Sequence, residues 1–230
     1  MVVSRTVSGR YSARVSWIYA SLVHAILAAF LIWSLSFYPG EYSMFSNAVS
    51  NLGDPLLNPW PGWAVFSAGI STFGSLMVPH VLYLYRKLTA MDRKWGRRFL
   101  VTSVIGNAGN VGVGMFSEAS ATLVPHVIAA ALVFWGLFSA AACSWPPLIA
   151  LVRRLPSGRR YRCSVAVLAS MLLVTVVSFS TAMLSGFLTL LRGYSIPGLL
   201  SMEFWEWMLV VSLDVHTFLL TAMVNHLAPD

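Results

Sequence analysis

The sequence predicts an all-α polytopic membrane protein: a single bundle of six transmembrane helices, both termini cytoplasmic, with an ordered first loop on the outer side. Three observations predict it. Hydrophobic residues make up 57% of the 230 positions, charged residues only 10%, and mean hydropathy is +0.73. A soluble domain runs at roughly 45–50% apolar and about 25% charged, so these ionisable side chains are too few to cover a water-facing surface. Six apolar stretches each approach the roughly 20 residues that cross about 30 Å of hydrocarbon. Finally, all but Arg192 of the 15 Lys and Arg residues fall on one side of those stretches. A cytosolic enzyme, a secreted disulfide scaffold and a disordered binder are excluded.

The spans are placed at residues 16–37, 62–85, 99–116, 121–145, 164–191 and 204–226, within one domain covering residues 1–230. Their lengths favour helices, and no alternating pattern suggests a barrel. The first span follows Arg5, Arg10 and Arg14, but its apolar run exceeds the usual length of about 7–15 residues in a signal peptide. It reads as an uncleaved signal-anchor helix. The second carries Ser67, Ser71 and Ser75 at helical spacing. The third carries Gly106, Gly109 and Gly112, a smooth ridge for close helix contact, with Asn107 and Asn110 on a neighbouring face where they need partners inside the bundle. No strand precedes these glycines, so a phosphate-binding loop is excluded by context. In the fourth, Trp145-Pro146-Pro147 is expected to stop or kink the helix, because proline lacks an N–H and clashes with the preceding turn. The fifth offers Thr175, Ser178 and Ser185 along one stripe.

Between the second and third spans lie Arg86, Lys87, Arg93, Lys94, Arg97 and Arg98. Between the fourth and fifth lie Arg153, Arg154, Arg159, Arg160 and Arg162. The positive-inside rule assigns these connections to the cytoplasm. The formal charge of +7 is then matched to anionic lipid headgroups and calls for no nucleic acid. The lipid bilayer is the expected partner, with other membrane-protein subunits as a further one. Cys143 and Cys163 fall near the cytoplasmic ends of their spans, where free thiols are expected. The first connection, residues 39–61, has no Lys or Arg. Its Ser, Asn, Asp and Pro residues favour turns, and Trp60 and Trp63 suit the headgroup level. An ordered cap or re-entrant piece is expected there.

Ser50-Asn51-Leu52-Gly53 with Asn58-Pro59 downstream, and Gly112-Val113-Gly114-Met115-Phe116-Ser117-Glu118 followed by His126-Val127-Ile128-Ala129-Ala130, carry a resemblance. The chain resembles the domain-of-unknown-function 998 family over about residues 15–225. That family comprises small six-helix membrane proteins of archaea and bacteria, distantly similar to the Frag/DRAM/Sfk group of eukaryotes. In its pattern a Gly-x-Phe-Pro-Glu-like turn precedes a helix opening with His and small residues; here Ser117 stands in place of the proline. The resemblance implies the six-helix fold and points to Glu118 and His126, but it implies no enzymatic activity.

Ionisable groups at membrane depth are candidate functional sites. Glu118 and His126 flank a short connection on the outer side, beneath a loop bearing Asp54, Asn51 and Ser50. The pair is expected either to pin the cap or to form an outward-opening pocket. Asp214 and His216 fall near the middle of the sixth span, His24 and His80 in the inner halves of the first two, and Glu203 and Glu206 at the start of the sixth. The leading reading, which needs no missing motif, is a non-catalytic accessory subunit or a module binding lipid or another apolar ligand. Three alternatives stay open. A zinc-dependent intramembrane hydrolase would use His126, His216 and Glu118 or Asp214, but its two histidines fall about 8 and 18 Å below the outer face, whereas zinc needs converging ligands. A haem b electron-transfer bundle would use His24 and His80 as axial ligands. A small proton-coupled transporter would titrate Asp214. No cofactor is favoured.

Overall fold

The apolar runs form six α-helices: α1 Ala13–Leu35, α2 Gly62–Met91, α3 Arg93–Met115, α4 Leu123–Val152, α5 Arg159–Arg192 and α6 Met202–Leu227. The computed structural model describes residues 7–117, 119, 121–192 and 198–227. Among the described residues the other helical pieces are two short 3-10 helices, Val49–Gly53 and Gly198–Leu200. Five helices, all except α3, are long and apolar enough to cross a membrane. That is the architecture of a helical membrane protein. Helix α3 falls short because Arg93, Lys94, Arg97 and Arg98 fill its first turns and Asn107 and Asn110 sit in its second half.

Consecutive helices pack along one another, with α3 between α2 and α4, and α6 touching α1, α2, α4 and α5. Asp92 alone separates α2 from α3. It caps the new helix by accepting from the backbone N–H groups of Lys94 and Trp95 at 2.9 and 3.1 Å, satisfying donors that a helix start otherwise leaves unpaired. The glycine ridge of α3 lies on α4: a Cβ at Gly109 would stand 2.6 Å from the Val133 nitrogen, and one at Gly106 2.9 Å from the Leu137 nitrogen. At Gly112 it would meet the Ala129 Cβ at 2.9 Å. Side-chain-free contact of this kind lets backbones approach where lipid supplies no hydrophobic drive.

The prolines of the fourth apolar run do not end its helix. Helix α4 passes through Pro146 and Pro147 and continues to Val152. Both prolines are flanked by buried contacts, with Ser144 and Leu148 fully buried, and helix-breaking residues are tolerated in membrane helices where neighbours surround the disturbed turn. Of the stop or kink expected there, the stop is overturned: the helix runs seven residues past Trp145.

The first loop is ordered. Val49 and Leu52 pack with Phe66 of α2, and Trp207 of α6 lies against the same cluster. The Tyr42 hydroxyl donates to the Ala48 carbonyl at 2.7 Å and accepts from the Trp207 indole at 3.0 Å. Burial pushes the Tyr42 phenol above its ordinary pKa, so it stays a neutral donor. Asn58 is fully buried; its amide donates to the Ser34 hydroxyl at 3.0 Å and the Leu52 carbonyl at 2.9 Å. Ser34 in turn donates to the Gly62 carbonyl at 2.9 Å. One amide thus ties the loop to α1 and α2. Asn58→Ala is expected to cost about 2 kcal/mol, the penalty of stranding buried acceptors, and to open the loop to protease. Thermal unfolding and limited proteolysis in detergent check it; an unchanged melt and digestion pattern would show that Asn58 does not hold the cap.

Candidate functional site

Two polar constellations lie inside the bundle, one under the cap and one near its middle. The outer one borders a cavity of ≈ 60 Å³. Leu27 and Leu31 of α1, Phe66 of α2 and Val133 of α4 supply apolar walls, and Ser50, Asn110, His126 and Glu206 the polar edge. The 3-10 turn aims the Ser50 backbone N–H and hydroxyl at Glu206, whose two carboxyl oxygens accept them at 3.1 and 3.3 Å. This contact couples the cap to α6. His126 is buried, and its Nδ1–H donates to the Phe116 carbonyl at 2.7 Å, closing the end of α3 onto the start of α4. Asn110 is also buried, yet its Nδ2 makes no hydrogen bond. Buried amide donors are almost always paired, so this one is an unsatisfied donor at the edge of an apolar cavity.

The sequence-selected residues divide around this site. Ser50 and His126 line it, as does Asn110, which the sequence marked for packing. Glu118 lies outside the described residues, and with it the Glu118–His126 pair. Asp54 serves its own loop: Oδ1 accepts from the Leu56 N–H at 2.8 Å, an Asx turn. Asn51 accepts from the Asp54 N–H at 3.2 Å through its backbone carbonyl, as part of the 3-10 turn. Neither lines the cavity. Glu206 was visible only as a flanking charge of the sixth span. Its partner is 156 residues away in sequence, and no local pattern announces such a contact.

Near the middle, a second cavity of ≈ 60 Å³ is bordered by Asp214, His216, Thr217, Ser103 and Asn107. Asn107 spends its amide on its own helix, donating to the Ser103 carbonyl at 2.8 Å. His216 is held between Thr175, at 2.9 Å from Nδ1, and Ser144, at 3.5 Å from Nε2. Asp214 does not join His216. It meets His24 of α1, with Nε2 and Oδ1 3.3 Å apart. The His24 Nδ1–H already donates to the Ala20 carbonyl at 2.7 Å. A bond between Nε2 and Oδ1 therefore needs one further proton, carried by either atom. Counting about 1.5 Å per residue from Ala13 and back from Leu227 puts His24 and Asp214 at nearly the same depth, which is a sequence signal for the pair.

His80 shares a hydrogen bond with Thr221 at 3.0 Å. An axial pair must stand on opposite faces of a planar macrocycle. Here Phe73 packs edge-on against His24, ring centres 5.4 Å apart, and the neighbouring cavity is only ≈ 60 Å³. The residues do not fit a haem. Nor do they fit the zinc arrangement: among the described residues no three His, Cys, Asp or Glu side chains converge, and His126 and His216 border different cavities. Cys143 and Cys163 are free thiols. No protein-family model, no curated protein and no solved structure matches the chain.

Proposed function

We propose that the chain is an integral protein of the cell (plasma) membrane, with six transmembrane helices and both termini cytoplasmic. Its kinship with the domain-of-unknown-function 998 family is part of this proposal. In this reading it does no covalent chemistry. It holds an apolar molecule with a hydroxyl head in the outer cavity, alone or as an accessory subunit of a larger membrane assembly. The observation that carries the reading is the unpartnered Asn110 amide on the lining of a cavity that Glu206 also borders. A hydroxyl accepts from Asn110 and donates to Glu206, whereas a carboxylate head meets like charge at Glu206. A cavity of ≈ 60 Å³ holds a head and its first carbons, since one water needs about 10–15 Å³ on this measure. Apolar walls with a few convergent polar groups are the usual composition of a small-molecule site.

Tryptophan energy transfer to a polyene fatty alcohol tests it in detergent solution. The alcohol is expected to saturate at one per chain. Binding is expected to weaken at least tenfold for the matching fatty acid at pH 8, and tenfold for Asn110→Leu. Equal affinity of wild type and Asn110→Leu would contradict the reading. Orientation is tested separately by thiol labelling of Leu56→Cys and Gly158→Cys in a Cys143→Ala/Cys163→Ala background. Leu56 is exposed at 83%, so its cysteine reacts freely, and the two are expected to label from opposite sides.

The His24–Asp214 contact favours one second reading, a proton-coupled transporter. Charged groups at membrane depth usually mark ion pathways, and a 3.3 Å imidazole–carboxylate contact beside a mainly apolar cavity that Ser103, Asn107 and Thr217 also border is a proton-accepting arrangement. Proton uptake by reconstituted vesicles, lost in Asp214→Asn while alcohol binding persists, would establish it.

A further inference from the structure

We infer a third site, for the phosphate headgroup of an anionic membrane lipid, where the segment before α1 crosses the charged end of α2. The site is built by a glycine. Gly9 is buried with φ +65°, and a Cβ there would stand 2.5 Å from the Tyr83 nitrogen and 2.8 Å from the Leu82 carbonyl carbon. Only glycine lets the segment lie this flat on α2 and turn in the left-handed region. The next residues close a floor. The Tyr11 ring stacks on Tyr83, centres 4.9 Å apart and planes 9° from parallel, and its hydroxyl donates to the Pro79 carbonyl at 3.2 Å. The Tyr83 hydroxyl bonds the Asn225 side chain of α6, which donates to Ser16 of α1 at 3.0 Å. Three helices thus hold the two rings in place.

Above this floor lies a cleft of ≈ 410 Å³ whose rim carries Arg10, Arg86 and Lys87. None of the described residues lining it is acidic. Lys87 stands over the Tyr83 ring, 5.8 Å from its centre. Burial pushes the Tyr11 phenol up, so no phenolate opposes an anion there. Guanidinium groups match phosphate oxygens two at a time. The apolar run of α2 ends at Tyr85 and Arg86 follows, which puts the cleft at headgroup level. Basic clefts between helices at that level are the usual sites of anionic lipid recognition. The inference uses the membrane reading of the chain and does not depend on the outer cavity.

Native mass spectrometry of the detergent-solubilised full chain, titrated with short-chain phosphatidylglycerol, is the test. One lipid is expected to be retained per chain. Arg86→Gln/Lys87→Gln is expected to weaken retention about 25-fold, roughly fivefold per cation. The matched pair Arg153→Gln/Arg154→Gln, in the α4–α5 connection, is expected to leave it unchanged. Gly9→Val, which alters no charge, should weaken it as well by lifting the segment. Phosphatidylcholine of equal chain length should not be retained, and millimolar inorganic phosphate should not displace the lipid. Equal weakening by both arginine-containing pairs, or equal retention of phosphatidylcholine, would overturn the site. Displacement by inorganic phosphate would overturn the lipid assignment in favour of a free anion. The labelling experiment on Leu56→Cys and Gly158→Cys fails or succeeds independently of these outcomes.

Discussion

Gly109→Val is expected to lower the melting temperature in detergent by roughly 10 °C, equivalent to about 3 kcal/mol for a chain of this size. The reason is that its Cβ has only backbone to meet: the Val133 nitrogen at 2.6 Å and the Ala129 carbonyl oxygen at 2.8 Å. Neither can rotate away, so α3 and α4 must separate along their length. Separation also bares Asn107 and Asn110, two of the polar residues that α3 keeps buried, to lipid. Gly186→Ala makes the matched control. The nearest atom to a Cβ there is the Met202 sulfur at 3.4 Å, an ordinary contact with a flexible side chain, and alanine raises helix propensity. Its melt is expected to stay within a degree or two of the parent. Equal melts for Gly109→Val and the parent would show that α3 and α4 do not pack through this ridge.

His24→Leu is the second large effect. It leaves Asp214 without its partner, and breaking one half of a buried pair costs about 3–5 kcal/mol because the remaining charge is stranded. The Asp214 side chain is 32% exposed, so a smaller loss of about 2 kcal/mol is expected here. The double variant His24→Leu/Asp214→Leu is expected to recover most of that loss, since an apolar pair removes the stranded charge altogether. Thermal unfolding of the two single variants and the double variant reads the coupling directly. Additive losses would mean that the two residues do not interact in the folded protein.

The fold class is legible in local residue chemistry. Runs of apolar residues set the helices, and glycines three apart set the α3–α4 seam, because helical periodicity and small-residue packing are local properties. The α4 prolines misled for the opposite reason. Whether a helix survives Pro146 and Pro147 depends on what surrounds that turn, and the sequence window does not contain it. The candidate site was half legible. Ser50 stands out as part of the polar first loop, His126 as an ionisable group at membrane depth, and Asn110 only as a packing residue of the glycine-rich helix. Asp54 and Asn51 drew attention for the same polarity, but both are spent on turn geometry. Glu206 and the His24–Asp214 contact were missed as partners. Each joins elements at opposite ends of the chain, and only matching depth across the bilayer hints at the second.

The central claim is that the outer cavity receives the head of an apolar alcohol. Photolabelling with a fatty alcohol that carries a diazirine beside its hydroxyl tests it most directly. After irradiation and digestion, adducts are expected on the cavity wall, at Val49, Phe134 and Val210, and to vanish in Asn110→Leu. Adducts spread instead over outward-facing positions such as Leu22, Ile32 and Leu173, unchanged by Asn110→Leu, would contradict it.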